Sequence, residues 1–131
     1  MPLFTVKRRG PSSPRAMGGD MYFSKQKCSG GYALAVRLSV EVMDRLRWRA
    51  NDRVFMEFDK HGETGVWTLC LTDDPDGVTI LVKKPGSCGL MKATIPPEHM
   101  KLAIPNGTAG YVASLDAVKG DAATFLVDYA Q

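Results

Sequence analysis

A pattern of apolar residues recurs along this chain at a fixed spacing of 57 positions. Residues 37–59 lie without a gap on residues 94–116, and the strand-like stretch 66–70 lies on 123–127. Apolar positions that stay in phase across an ungapped spacing are typical of an internal duplication. The pattern therefore predicts two related repeats, 32–72 and 90–131, joined by residues 73–89.

Length and composition predict one globular domain, which we assign to residues 32–131. A chain of 131 residues, 44% hydrophobic and 24% charged, has room for two halves that share a core. It contains no apolar run near the roughly 18 residues of a transmembrane helix, and its N-terminus lacks the apolar core of a secretory signal, so no membrane association is predicted. Three cysteines without a C-x-x-C spacing indicate a reducing, cytoplasmic setting.

The net charge of +3 is unevenly distributed along the chain. The first 30 residues contain one acid, Asp20, and six cations, which gives them +5 and leaves −2 for the other 101 residues. The six cations are Lys7, Arg8, Arg9, Arg15, Lys25 and Lys27. Attraction to nucleic acid must therefore come from this segment and from local clusters in the globular part.

Residues 1–31 have the composition of a flexible linker, with two glycine pairs, three prolines and few periodic apolar residues. Three interpretations of this arm remain open. It is a solvated leader without a role, or a basic arm whose Lys7, Arg8 and Arg9 follow a phosphate backbone. In the third interpretation, the arm docks on its own domain or on a partner subunit, and the apolar residues able to make that contact are Leu3, Phe4, Tyr22 and Phe23.

Each half of the domain reads as strand, short helix, strand, strand. Helical spacing after Ser39, a typical N-cap, predicts a helix of about two turns, and a second helix begins at Pro96-Pro97 and ends near Ala103. Alternating apolar residues predict strands over 32–38, 53–59, 66–71, 78–82, 90–95, 110–115 and 123–129. The predicted fold is mainly β with short helices, of the α+β class.

This order of elements resembles the swapped-hairpin domain of AbrB, MazE and SpoVT-type transcription factors. The family pattern is a basic strand end, I-P, a helix ending in Leu, an apolar residue two places on, and G-D before an alternating strand. The first repeat matches it with Arg37, Leu38-Ser39, Leu46, Trp48 and Asn51-Asp52. The second repeat keeps the literal Ile95-Pro96, but it has Ala103 in place of Leu and Thr108-Ala109 in place of G-D.

The resemblance implies a fold and a partner. Members of this family are usually dimers that exchange hairpins to close one small barrel, and a chain with two copies is similar to the fused, MraZ-like arrangement. The implied architecture is a pseudo-twofold, double-psi-like small barrel in which each repeat covers the other's strand edges. The implied partner is double-stranded DNA, which family members contact through arginines on the first strand end and on the helix face.

The candidate nucleic-acid-binding residues of the first repeat are Arg37, Arg45, Arg47 and Arg49, with Arg53 beside them, and Lys7, Arg8 and Arg9 add contacts from the arm. Arg45, Arg47 and Arg49 crowd one helix end, where guanidinium groups repel one another unless an anion lies between them. The alternative is a solvated face of ion pairs, such as Glu41 with Arg45 at i,i+4 spacing. The second repeat offers only Lys92, His99 and Lys101, so association into a homodimer would restore the symmetry that one chain lacks.

Other chemistries find little support in the sequence. His61 and His99 lack metal-ligand spacing, no base is placed near Cys88, and no phosphate-binding glycine motif occurs. Trp48 is interpreted as a core residue rather than a base-stacking one. We therefore expect no enzyme activity, no metal and no cofactor.

The leading hypothesis is a small DNA-binding transcriptional regulator of bacterial or phage type. The alternative is a protein-interaction module, such as a phage or mobile-element product that inhibits a host protein. The near-neutral globular part and the degenerate repeats are compatible with both hypotheses.

Overall fold

A computed structural model of the chain describes residues 20–28, 31–84, 86–105 and 110–130. These residues form eight strands and two short helices, which confirms the prediction of a mainly β fold with short helices. In chain order, the elements are β1 (Met21–Cys28), β2 (Gly31–Leu38), α1 (Val40–Leu46), β3 (Arg53–His61), β4 (Thr64–Thr72), β5 (Val78–Thr79), β6 (Gly89–Ala93), α2 (Pro97–Ala103), β7 (Tyr111–Lys119) and β8 (Ala122–Asp128).

The strands form one antiparallel sheet that curls into a nearly closed barrel. Their order across the sheet is β5-β3-β4-β8-β7-β1-β2-β6. The two end strands, β5 and β6, meet through a single bridge between Leu81 and Leu90. The barrel therefore has one partly open line of contact, and it lies between β5 and β6.

The order of elements repeats along the chain at the spacing seen in the sequence. The helix 40–46 and the helix 97–103 are 57 positions apart at both ends. The hairpin β3–β4 is followed 58 positions later by the start of β7, and β7–β8 contains an irregularity between Leu115 and Ala117 that β3–β4 lacks. The two halves thus share an element order and differ in hairpin register.

Strand β1 corrects the prediction that residues 1–31 are a flexible arm, because residues 21–28 of that segment belong to the sheet. β1 pairs with β2 along eight residues and with β7 along three. Met21 and Phe23 are buried, and the Phe23 ring contacts Trp67 and Tyr111, with centroids 5.5 Å and 5.9 Å away. Burial of these apolar side chains outweighs the polar, linker-like composition around them. Residues 1–19 lie outside the described residues.

The core fills the barrel interior with the inward-facing residues of every long strand. Its largest fully buried side chains are Phe23, Phe125, Met21, Leu34, Leu38, Leu69, Ile80, Met91, Val42 and Val54. Trp48 is 5% exposed, which confirms its interpretation as a core residue. Among the described residues, no helix is long and apolar enough to cross a membrane.

Candidate nucleic-acid interface

Helix α1 places Arg45 at the end of a capped, seven-residue segment. The Ser39 hydroxyl accepts a hydrogen bond from the backbone N–H of Val42 at 3.2 Å, as an N-cap does. Val42 and Met43 are buried, so the opposite side of this short helix faces solvent. Arg45 lies on that exposed side, in the last turn, where a cation is favourable at the helix C-terminus.

Arg47 ends α1 in the left-handed conformation, with φ 61° and ψ 32°. The N–H of Arg47 donates to the Asp44 carbonyl at 3.2 Å, and that of Trp48 donates to the Met43 carbonyl at 3.0 Å. This pair of bonds is the Schellman pattern, which usually places glycine where Arg47 stands. Because Trp48 is buried, its neighbours Arg47 and Arg49 are both held at the surface.

The turn after Trp48 is held by hydrogen bonds to the segment beside β5. The N–H of Asn51 donates to the Ile80 carbonyl at 2.7 Å, and the N–H of Ile80 donates to the Asp52 carbonyl at 2.8 Å. The Asp52 carboxylate accepts from the N–H of Arg49 at 2.8 Å. Ile80 is fully buried, so this turn is anchored on the core and fixes the backbone that carries the arginines.

The guanidinium groups of Arg37, Arg45, Arg47, Arg49 and Arg53 are not neutralised by carboxylates within the described residues. Among those residues, the contact of a basic with an acidic side chain is the hydrogen bond between His61 and Asp59, at 3.2 Å, and no arginine or lysine nitrogen lies within 4.0 Å of a carboxylate oxygen. The predicted pair between Glu41 and Arg45 is therefore not formed. We define the arginine cluster as Arg45, Arg47 and Arg49, three exposed cations on one short stretch of backbone.

Arg37 lines a groove that does not include the arginine cluster. In the strand register, Arg37 lies opposite Tyr22 of β1 and opposite Leu90 of β6, and its side chain is exposed on the outer surface of these strands. A groove of about 940 Å³ runs along this surface, and its lining includes Arg37 but no member of the arginine cluster. That the four arginines form one binding surface stays a prediction; Arg45, Arg47 and Arg49 are exposed, and Arg37 lines a groove that does not include them.

The groove brings together cations that the sequence analysis did not combine. It is lined by Lys25, Arg37, Lys83 and Lys92, with Asp76 as the one carboxylate. Moreover, strands β1, β2 and β6 together contain four cations, Lys25, Lys27, Arg37 and Lys92, and no acid. The pairing of β1 with β2 and of β2 with β6 places Arg37 and Lys92 on one face of these strands, whereas Lys25 and Lys27 alternate to the other face. Sequence order alone gave no signal for this arrangement.

The second half lacks the arginine cluster in structure as well as in sequence. The positions 57 after Arg45 and Arg47 are Leu102, which is exposed, and Ile104, which is buried. Ile104 has φ −131°, so α2 ends without the left-handed residue of α1. Lys7, Arg8 and Arg9, predicted as further contacts, lie outside the described residues.

The described residues contain no group of three or more His, Cys, Asp or Glu side chains that could hold a metal ion. Cys28, Cys70 and Cys88 are free thiols, and they lie on different elements or loops. Comparison of the chain with protein-family models, with curated proteins and with solved structures found no match.

Proposed function

We propose that this protein is a DNA-binding transcriptional regulator that contacts the backbone and groove of double-stranded DNA through Arg37 and the arginine cluster. The observation that carries the proposal is that these exposed guanidinium groups have no carboxylate partner among the described residues, and that the turn carrying Arg49 is fixed by the core. Phosphate oxygens are the natural ligands of such groups, since arginine donates in a fork that matches them. No reaction is involved, because occupancy of a DNA site is sufficient to change transcription.

We assign the fold to a fused pair of AbrB-like swapped hairpins, and the strand pairing supports this. Trp67 pairs with Phe125 and Thr68 pairs with Thr124. A twofold rotation relating positions 57 apart would exchange these two pairs, and it would map the pair Ala35–Lys92 onto itself. Both ladders are thus centred where a single pseudo-twofold axis would require, as expected for two copies that close one small barrel.

The proposed interface is one-sided within a single chain. A symmetric dimer of the resembled family presents two equivalent basic surfaces to DNA, whereas here Leu102 and Ile104 stand at the positions that match Arg45 and Arg47. One chain should therefore favour an asymmetric site, with Lys7, Arg8 and Arg9 of the N-terminal arm adding phosphate contacts. A homodimer would instead place two arginine clusters on a palindromic site.

The test is fluorescence anisotropy of a labelled duplex of mixed sequence at two salt concentrations. We expect Arg45→Ala/Arg47→Ala to bind about tenfold more weakly at low salt, and its plot of log affinity against log salt to be shallower by about two. The matched control is Lys119→Ala, which removes an exposed cation from the β7–β8 hairpin. The control should bind as the wild type does.

Equal weak binding by the wild type and by Arg45→Ala/Arg47→Ala would remove the arginine cluster from the mechanism. Thermal unfolding of each variant separates loss of binding from loss of structure, because all three substituted side chains are exposed.

A protein-interaction module is the second candidate function, and one feature of the barrel favours it. Leu81, at the single bridge between β5 and β6, is 57% exposed, and a large apolar side chain left in solvent is of the kind that a partner protein covers.

A further inference from the structure

The groove on the outer surface of β1, β2 and β6 carries a net positive charge. Its charged lining residues are Lys25, Arg37, Lys83, Lys92 and one acid, Asp76. Four cations minus one carboxylate give this lining a charge of +3. Within the described residues, no lysine or arginine nitrogen lies within 4.0 Å of a carboxylate oxygen, so Asp76 pairs with none of these cations. The lining therefore leaves its positive charge without a close counter-ion.

The rest of the chain has no further side-chain carboxylate to bring to this groove. All 14 aspartate and glutamate residues belong to the described part of the chain. Residues 1–19 contain Lys7, Arg8, Arg9 and Arg15 and no acid, so their approach would add charge of the same sign. A counter-anion for the groove must therefore come from another molecule.

Two of the cations stand close together on paired strands. Arg37 lies opposite Leu90, and Lys92 lies opposite Ala35, so Arg37 and Lys92 are diagonal neighbours on one face of β2 and β6. Diagonal neighbours are about 7–8 Å apart, a distance that long side chains span. Both side chains are exposed, and like charges at this spacing repel unless an anion lies between them. The pairing thus presents two cations to one ligand.

Lys83 enters the groove from the connection between β5 and β6, whose backbone is held on both sides of it. Leu81 and Leu90 exchange two backbone hydrogen bonds, each of 2.8 Å. After Lys83, the Ser87 hydroxyl donates to the Lys84 carbonyl at 2.7 Å and accepts from the Lys84 N–H at 3.3 Å. Because these bonds already order the segment, little backbone entropy is lost when an anion binds there.

Size and lining favour a small organic phosphate over a polymer. The groove volume of about 940 Å³ lies within the roughly 300–1,000 Å³ of small-molecule sites. Single nucleic-acid strands stack their bases on exposed aromatic side chains, whereas Tyr22, the aromatic residue among the described lining residues, is half-buried. Each phosphate group carries a charge of about −1.5 to −2, so a diphosphate matches the +3 of the lining. Leu81, which is 57% exposed, offers the organic part of the ligand an apolar contact.

We propose that the groove binds the diphosphate group of a small molecule. Arg37 would supply a forked donor to the phosphate oxygens, and Lys83 and Lys92 would act as point charges beside it. Lys25, whose nitrogen lies 4.5 Å from the centre of the Tyr32 ring, would add to the positive potential. This inference goes beyond the proposed binding of duplex DNA and does not depend on it, because Lys83 and Lys92 take no part in that interface.

The probes are inorganic pyrophosphate and adenosine diphosphate, each titrated into the full-length protein labelled with ¹⁵N. We expect both to shift the amide signals of Arg37, Lys83 and Lys92. Adenosine monophosphate should bind more weakly than the diphosphate, since it offers one phosphate group, and adenosine should not bind. Tighter binding of adenosine diphosphate than of pyrophosphate would identify an organic diphosphate as the ligand, and the reverse order would identify the free ion.

Two variants of equal net charge complete the test. Lys83→Ala/Lys92→Ala should lower the affinity for pyrophosphate by about tenfold, because it removes two of the cations that face the ligand. Lys101→Ala/Lys119→Ala makes the same change in net charge outside the groove lining and should alter that affinity less than about twofold. All four lysines are exposed, so neither variant removes a core contact.

Three results would overturn the inference. The first is failure of both pyrophosphate and adenosine diphosphate to bind, and the second is an unchanged affinity in Lys83→Ala/Lys92→Ala. The third is a shift of the Lys83 and Lys92 signals by oligodeoxythymidine but by neither diphosphate, which would assign the groove to a single nucleic-acid strand.

Discussion

Arg47 adopts a backbone conformation that a side chain with a Cβ atom disfavours. Its φ of 61° costs an ordinary residue about 1 kcal/mol relative to glycine, which is the usual residue at this position of a helix end. Strained residues persist most often where a function requires the side chain. Here the left-handed conformation places the Arg47 side chain between α1 and the turn that follows it.

Replacing Arg47 with glycine should therefore raise stability and weaken DNA binding. We expect Arg47→Gly to increase the free energy of unfolding in urea by about 0.5–1 kcal/mol while lowering duplex affinity. Arg49→Gly is the matched control, because it removes an equivalent charge from a residue whose φ is not positive. It should lower affinity without raising stability. An Arg47→Gly protein that is less stable than the wild type would contradict the role assigned to backbone strain.

Two half-buried tyrosines give a matched comparison of hydroxyl groups. The Tyr129 hydroxyl donates to the Ala103 carbonyl at 2.6 Å, whereas the buried Tyr111 hydroxyl has no partner among the described residues. We expect Tyr129→Phe to lower the free energy of unfolding by about 1 kcal/mol and Tyr111→Phe to leave it unchanged or raise it. Thermal or urea unfolding at neutral pH measures both, and equal losses would show that the Tyr129 bond contributes nothing.

Tyr129 also makes stability depend on alkaline pH. Burial raises the pKa of its hydroxyl well above the ordinary value, and the charge of Tyr111 adds to this. The folded state thus retains a proton that the unfolded state releases above pH of about 10. The free energy of unfolding should be constant below that pH and fall above it. Tyr129→Phe should show a smaller fall between pH 9 and 11, as followed by urea unfolding; an unchanged slope would be the contrary result.

At the scale of elements, β1 carries the largest difference between sequence and structure. The alternation of Tyr32 to Leu38 and the cap at Ser39 predicted β2 and α1 nearly to the residue. The fully buried apolar residues of β1 are Met21 and Phe23. The polar residues around them hide the alternating pattern in the sequence. The 57-residue spacing contained the missing signal, because Met21 and Phe23 fall on Val78 and Ile80 of the second half.

The place of β1 in the core is testable with one substitution. Phe23→Ala should lower the free energy of unfolding by about 3–5 kcal/mol, since it leaves a cavity beside Trp67 and Tyr111. Lys27→Ala, at an exposed position of the same strand, should change it by less than about 0.5 kcal/mol. Unfolding in urea distinguishes the two variants. A Phe23→Ala protein with the free energy of unfolding of the wild type would contradict the place of β1 in the core.

For the other elements, the predicted bounds differ from the observed ones at strand ends, next to the connections. The strand predicted over 78–82 is reduced to Val78–Thr79 with a bridge at Leu81, because that bridge alone joins this segment to β6 among the described residues. The connection between the strands predicted over 53–59 and 66–71 is shorter than those bounds imply, since His61 already pairs with Thr64. Local pattern fixed which residues are apolar and extended, whereas the extent of pairing depends on strands distant in sequence.

At the scale of the whole molecule, charge is segregated by element. β1, β2 and β6 contain four cations and no acid, while the hairpins β3–β4 and β7–β8 contain six carboxylates and three cations. The near-neutral total of the globular part concealed this division. Sequence reasoning found the arginine cluster because it is local, and it missed the groove because only the sheet assembles it.

The most direct measurement is a titration of the ¹⁵N-labelled full-length protein with a duplex of mixed sequence, followed by amide chemical shifts. The account predicts that the perturbed signals cluster at residues 45–53 and at Arg37, and that those of the acidic hairpins β3–β4 beyond Arg53 and β7–β8 remain in place. Perturbations confined to the hairpins, or none at salt concentrations where phosphate contacts are strong, would contradict it.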